Sequence, residues 1–141
     1  MHFTTLFILK GKKLKDLSSQ EIEKIFSERF CCDRGETRPK YQRWCDWFQI
    51  GGRWGDPLKA KKGIHCERGW SNGNAPIIKG EFAIVDISDL TEKLPRDSIF
   101  SVATKSRIYQ EKTSLDKYNE LLDKIDNKQI SGVIAFIDCH N

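Results

Sequence analysis

The chain has 141 residues, a formal net charge of +4 and 38% apolar residues. That length bounds it to one domain, 1–141, and the composition is that of an ordinary globular protein, which excludes disordered, collagen-like and disulfide-scaffold classes. No apolar run is long enough to cross a bilayer, so no membrane role is expected.

The chain opens on "MHFTTLFILKGKK", whose charges follow its apolar run. That is the reverse of a secretory signal, so the segment reads as a first strand, His2 to Leu9, stopped by Gly11. "SSQEIEKIFSERF" comes next. Ser18 with Glu21 three residues on is a capping box, and Ile22, Ile25, Phe26 and Phe30 recur at helical spacing. Residues 31–80 show neither period; they hold most of the glycines together with Pro39, Pro57 and Pro76. A structureless loop of that length is uncommon in a compact domain. The insert is therefore expected to order itself by burying aromatics, with a short strand or helix near "RWCDWFQI".

Beyond the insert, Glu81 to Ile87 and a stretch centred on Ile99 to Thr104 read as strands. "TSLDKYNELLDKID" reads as a second helix, capped by Thr113, with Leu115, Tyr118, Leu121, Leu122 and Ile125 on one stripe. Gly132 to Asp138 is nearly all apolar and reads as a central, buried strand. The order β-α-insert-β-β-α-β predicts an α+β, ferredoxin-like fold: an antiparallel four-stranded sheet with two helices on one face.

Charge is unevenly placed. Residues 31–80 hold ten Lys or Arg against five Asp or Glu, while the remainder holds fourteen against fifteen. The positive excess therefore sits with the tryptophans, and such a field attracts phosphates, nucleic acid or an acidic protein face. Within it, "YQRWCDWFQIGGRWGD" (Tyr41 to Asp56) joins aromatic surface to backbone freedom. Gly51 and Gly52 allow positive φ and close approach. Arg53 offers a planar fork for phosphate or carboxylate, with Asp46 and Asp56 as local ion-pair candidates. Trp44, Trp47 and Trp54 offer faces for stacking, each stacked base being worth roughly 1–3 kcal/mol. The competing structural reading gives the insert a small aromatic core of its own and the glycines a tight turn. The segment is not a P-loop, because the Lys-Ser/Thr ending is missing.

A second candidate is "DCHN", Asp138 to Asn141. On a strand Asp138 and His140 share a face and Cys139 points the other way, so a simple Cys-His dyad would need a bend. Asp138 and His140 then suit an orienting acid and a general base. "HFT" at His2 resembles half of the paired H-x-T/S pattern of two-histidine phosphodiesterases, but the second copy is absent. Cys31, Cys32, Cys45, His65 and Cys66 contain no C-x₂-C knuckle, so zinc is a weak reading and no cofactor is expected. The cysteine count is odd, and Cys31 and Cys32 are adjacent, which fits a reducing, cytoplasmic setting.

The pairing of Trp44, Asp46, Trp47, Phe48, Ile50, Gly51, Gly52, Arg53 and Trp54 with Asp138, Cys139 and His140 resembles a family of small bacteriophage and mobile-element proteins. These carry a W-D-W-(Y/F)-x-I-G-G-R-W core and end in D-C-H; the present chain departs from them by Cys45 within the W-D-W spacing. The motifs cover about a seventh of the chain. The resemblance implies a phage-type accessory protein acting in the host cytoplasm and carries no activity with it. Counter-defence binding is the leading expectation: a CRISPR inhibitor that meets a host defence nuclease, or a sponge for a nucleotide signal, with the Trp/Arg insert as contact surface and nucleic acid as a possible contact. A phosphate-ester hydrolase using Asp138 and His140 is the second reading, and a phage structural or regulatory protein without ligand the third. Two motifs so far apart in sequence suggest one site, formed where the insert folds over the end of the last strand.

Overall fold

The computed structural model describes residues 2–30, 47–51, 55–66 and 76–140, the side chains of 30 and 47 excepted. Eight strands and two α-helices are found among them. They are β1 (His2–Lys10), α1 (Ser19–Phe30), β2 (Trp47–Ile50), β3 (Leu58–Lys59), β4 (Glu81–Phe82), β5 (Ile84–Asp86), β6 (Ser101–Ala103), β7 (Ile108–Gln110), α2 (Leu115–Asp126) and β8 (Gly132–His140).

β1 and β8 form the spine of a six-stranded mixed sheet, pairing antiparallel from His2↔His140 to Lys10↔Gly132. β6 lies parallel to β1, and β7 closes that edge antiparallel to β6. β2 and β5 share the other edge end to end, β2 beside Ile137–His140 and β5 beside Val133–Ala135. β3 and β4 make a separate small hairpin.

The class is α+β, as expected, but the ferredoxin-like order is not what forms. The sheet has six strands and one parallel pair, and β6 is followed by its hairpin partner β7 before α2 begins. The helices also lie on opposite faces. Ile22 and Phe26 of α1 pack with Phe7 and Leu9, whereas Leu121, Leu122 and Ile125 of α2 pack with Leu6 and Ile8. Neighbouring residues of a strand point to opposite faces, so these are two cores with the sheet between them. The continuous apolar run of β1 carries the physical reason: a strand without alternation needs cover on both sides.

Local signals match the structure more closely than their arrangement does. The backbone N–H of Glu21 donates to Ser18 Oγ at 3.1 Å, and the Ser18 hydroxyl donates to the Glu21 carboxylate at 3.2 Å. At α2 the cap position is Ser114, not Thr113, without a side-chain bond, and Leu115 is half exposed while the rest of the stripe is buried. The expected strand at Glu81 to Ile87 is two short strands broken at Ala83, one serving the hairpin and one the main sheet. The insert contributes to both cores, Leu58 and Ala60 on the α2 side and Cys66 on the α1 side. Among the described residues no helix is long and apolar enough to cross a membrane.

Candidate functional site

The two motifs flagged in the sequence meet along one edge. β2 comes from the aromatic segment and pairs with the end of β8, placing Trp47 opposite His140, Phe48 opposite Cys139 and Gln49 opposite Asp138. Phe48, opposite Cys139, packs against the α1-side core, and Cys139 is wholly buried there. Asp138 and His140 fall on the α2 side, as the strand period requires.

The chemistry on that side gains a member that the sequence reading set aside. His2 sits opposite His140 in the β1–β8 register. Its Nδ1 lies 3.0 Å from Oδ1 and 3.1 Å from Oδ2 of Asp138, whose side chain is fully buried. A carboxylate accepts and does not donate, so this geometry places the proton on Nδ1 and leaves Nε2 as the second ring nitrogen. The His2 and His140 rings meet edge to face, with centroids 5.0 Å apart and planes at 68°. Asp138 therefore orients His2, and His140 is the ring beside that pair. Asp138, expected as the orienter of His140, thus also has the His2 imidazole as a partner. Register identifies the missed partner: position 2 of the first strand can face Asp138 only once β1 and β8 pair along their full length. Thr4 does not complete an H-x-T site, because its hydroxyl donates to the carbonyl oxygen of Ser98.

The turn after β2 shows why glycine is needed at its first position. Gly51 has φ +72°, and its N–H donates to the Phe136 carbonyl at 2.7 Å. A Cβ there would lie 2.2 Å from Cys66 Cβ and 2.6 Å from the Gly55 carbonyl oxygen. Cys66 is in turn held by Asp56. Asp56 Oδ1 accepts the Cys66 N–H at 2.8 Å, while Oδ2 meets His65 Nδ1 at 2.8 Å. His65 lies against Phe82, with ring centroids 4.9 Å apart. Asp56 anchors the loop that packs on Gly51; its expected pairing with Arg53 lies outside the described residues. On the α1 side a groove of about 440 Å³ opens between helix and sheet, lined by Phe26, Phe48, Ile64 and His65 among others.

Trp44, Asp46, Gly52, Arg53 and Trp54, the side chain of Trp47, and Cys31, Cys32 and Cys45 lie outside the described residues. Of the zinc candidates, His65 makes the contact to Asp56 and Cys66 is buried in the core. Among the described residues no group of three or more His, Cys, Asp and Glu could hold a metal. Comparison of the chain with protein-family models, with curated proteins and with solved structures finds no match in any of the three.

Proposed function

We propose that the protein is a phage-type counter-defence accessory protein that captures a nucleotide signal at the edge where β2 lies along the end of β8. The observation that supports this reading is the register of the two motifs, Trp47 to Gln49 against Asp138 to His140. Arg53 and Trp54 follow Gly51 closely in sequence, and Gly51 is fixed by its backbone bond to Phe136 and its contact with Cys66. A guanidinium matches a phosphate, and an indole offers a stacking face for a base. Native mass spectrometry of the protein purified from infected cells tests the proposal. Wild type should retain a nucleotide mass, and Arg53→Ala should melt normally and lose it. Wild type that carries no nucleotide, and binds none by calorimetry from a panel of mono-, di- and cyclic oligonucleotides, overturns it.

A specific observation favours one second reading, a phosphate-ester hydrolase. His2 is oriented by a buried carboxylate and faces another imidazole. Two such rings can supply the base and the acid of an in-line displacement, and a positioned acid or base contributes roughly 10²–10⁴-fold. Under this reading His2→Gln and His140→Gln each abolish turnover of a chromogenic phosphodiester. Equal background rates for wild type and both variants dispose of it.

A further inference from the structure

The far end of the sheet has a different chemistry. From His2↔His140 to Lys10↔Gly132 the spine runs nine residues, so its ends stand about 26 Å apart at a rise of roughly 3.3 Å per residue. Past Lys10 the chain turns at Gly11, φ +73°. There an open cleft of about 850 Å³ forms between this turn, the loop at 62–63, the residues after β5 and the α2–β8 connection.

Five lysines line the cleft: Lys12, Lys13, Lys15, Lys62 and Lys128. They come from three separate parts of the chain, so the fold and not a single charge run assembles them. Two carboxylates share the lining, Asp86 and Asp89. Asp86 Oδ1 accepts the Leu14 N–H at 2.9 Å. Among the described residues, no carboxylate lies within ion-pair distance of any of the five ammonium groups. All five lysines are exposed, and Lys128 Nζ donates to the carbonyl oxygens of Ser88 and Leu90, each at 3.0 Å.

Five like charges gathered around one cleft repel each other, and a bound polyanion relieves that repulsion. Lysine is a compact point charge suited to phosphate oxygens. Among the described residues no aromatic side chain lines the cleft, and so none offers a platform for unstacked bases of the kind single-strand binders use. These observations favour contact with backbone phosphates over readout of bases. We propose that this cleft docks the phosphate backbone of double-stranded nucleic acid without sequence preference, at a place separate from the β2–β8 edge.

Fluorescence anisotropy with a labelled DNA duplex of arbitrary sequence tests the proposal. Four freely placed lysines predict a log–log salt slope of about −3.6, which is about 150-fold weaker binding on going from about 50 to about 200 mM salt. The variant Lys12→Gln/Lys13→Gln/Lys15→Gln/Lys62→Gln should lose more than about tenfold in affinity at the lower salt, with the slope falling close to zero. The control Lys105→Gln/Lys112→Gln, elsewhere on the surface, should bind like wild type. Melting curves for both variants verify that the fold is kept. The proposal is overturned if wild type does not bind the duplex at low salt, or if the cleft variant keeps wild-type affinity and slope. It is likewise overturned if phosphatidylserine vesicles are bound while the duplex is not.

Discussion

Replacing Gly51 by alanine tests whether the turn after β2 is set by packing or by backbone conformation alone. Two costs act at this position. A residue with a Cβ at φ +72° loses about 1–2 kcal/mol relative to glycine. The new methyl would also stand 2.2 Å from Cys66 Cβ and 2.6 Å from the Gly55 carbonyl, and forcing atoms into a filled site costs about 1–3 kcal/mol. The total is about 2–5 kcal/mol, a large share of the stability of a small domain. Gly11 supplies the internal control: φ is +73°, and a Cβ there would meet nothing within 4 Å. Both substitutions also stiffen the unfolded chain alike, so that contribution cancels between them. Urea unfolding followed by circular dichroism should therefore place Gly51→Ala about 1–3 kcal/mol below Gly11→Ala, at similar m-values. Cys66→Ala should not rescue the Gly51 variant, because the nearest atom is Cβ and Sγ is farther away at 3.1 Å; Cys66→Gly should rescue it only in part, because the Gly55 carbonyl oxygen at 2.6 Å remains. Equal losses for the two glycine variants would refute the close-approach argument.

Three further outcomes follow from side chains of the two cores and the α2 surface. A double-mutant cycle on His2→Gln and Asp138→Asn should return a coupling of about 0.5–3 kcal/mol, since the two groups share a hydrogen bond and Asp138 is wholly buried; a coupling near zero would mean the contact is not formed in solution. Burial, followed by the nearby charge of Glu111, raises the Tyr118 hydroxyl above its ordinary 10.0, and that hydroxyl donates to the Ile99 carbonyl at 2.6 Å. A raised folded-state value makes its contribution complete below the unfolded value and lost as pH rises through the folded one, so unfolding free energy should fall in the alkaline range and Tyr118→Phe should flatten that fall. Lys124 and then Lys117, bonded to Glu120 at 3.0 and 3.3 Å, hold its carboxyl below the ordinary 4.5; carbon-detected NMR titration should show Lys124→Ala bringing it back up, and an unchanged midpoint would count against the pairing.

The helices, the first strand and the buried strand at Gly132 to Asp138 could be read from local pattern, because apolar period and capping residues act over a few positions, whereas the edge strand Ile108–Gln110 gave no such signal. Strand order could not. Whether α1 returns to the same face as α2 depends on where a long insert re-enters the sheet, and its re-entry strand is four residues long. The apolar run of β1, with Leu6 and Ile8 on one side and Phe7 and Leu9 on the other, asks for cover on both faces. The site followed the same division. The shared face of Asp138 and His140 follows from period alone, and Gly51 could be marked for positive φ. His2 could not be joined to Asp138, because 136 positions separate them and no sequence rule supplies the register between first and last strands.

The parts that place the candidate edge form one chain of dependence. Asp56 holds His65 and the backbone of Cys66; Cys66 fills the space beside Gly51; Gly51 accepts that closeness because it has no side chain and a left-handed φ. Its N–H then ties the end of β2 to Phe136, two residues before Asp138 on β8. The register of β2 along Asp138 to His140 is thereby fixed at its inner end. A strand slipped by one residue would turn every side chain to the other face. Gln49 would then leave the face of Asp138, and Phe48 would leave the α1-side core. The loop carrying Asp56, His65 and Cys66 thereby helps to determine what faces the His2–Asp138 pair. Mutations in that loop are therefore expected to affect the edge through register, as a change in β2 pairing, before they affect any group that touches a ligand.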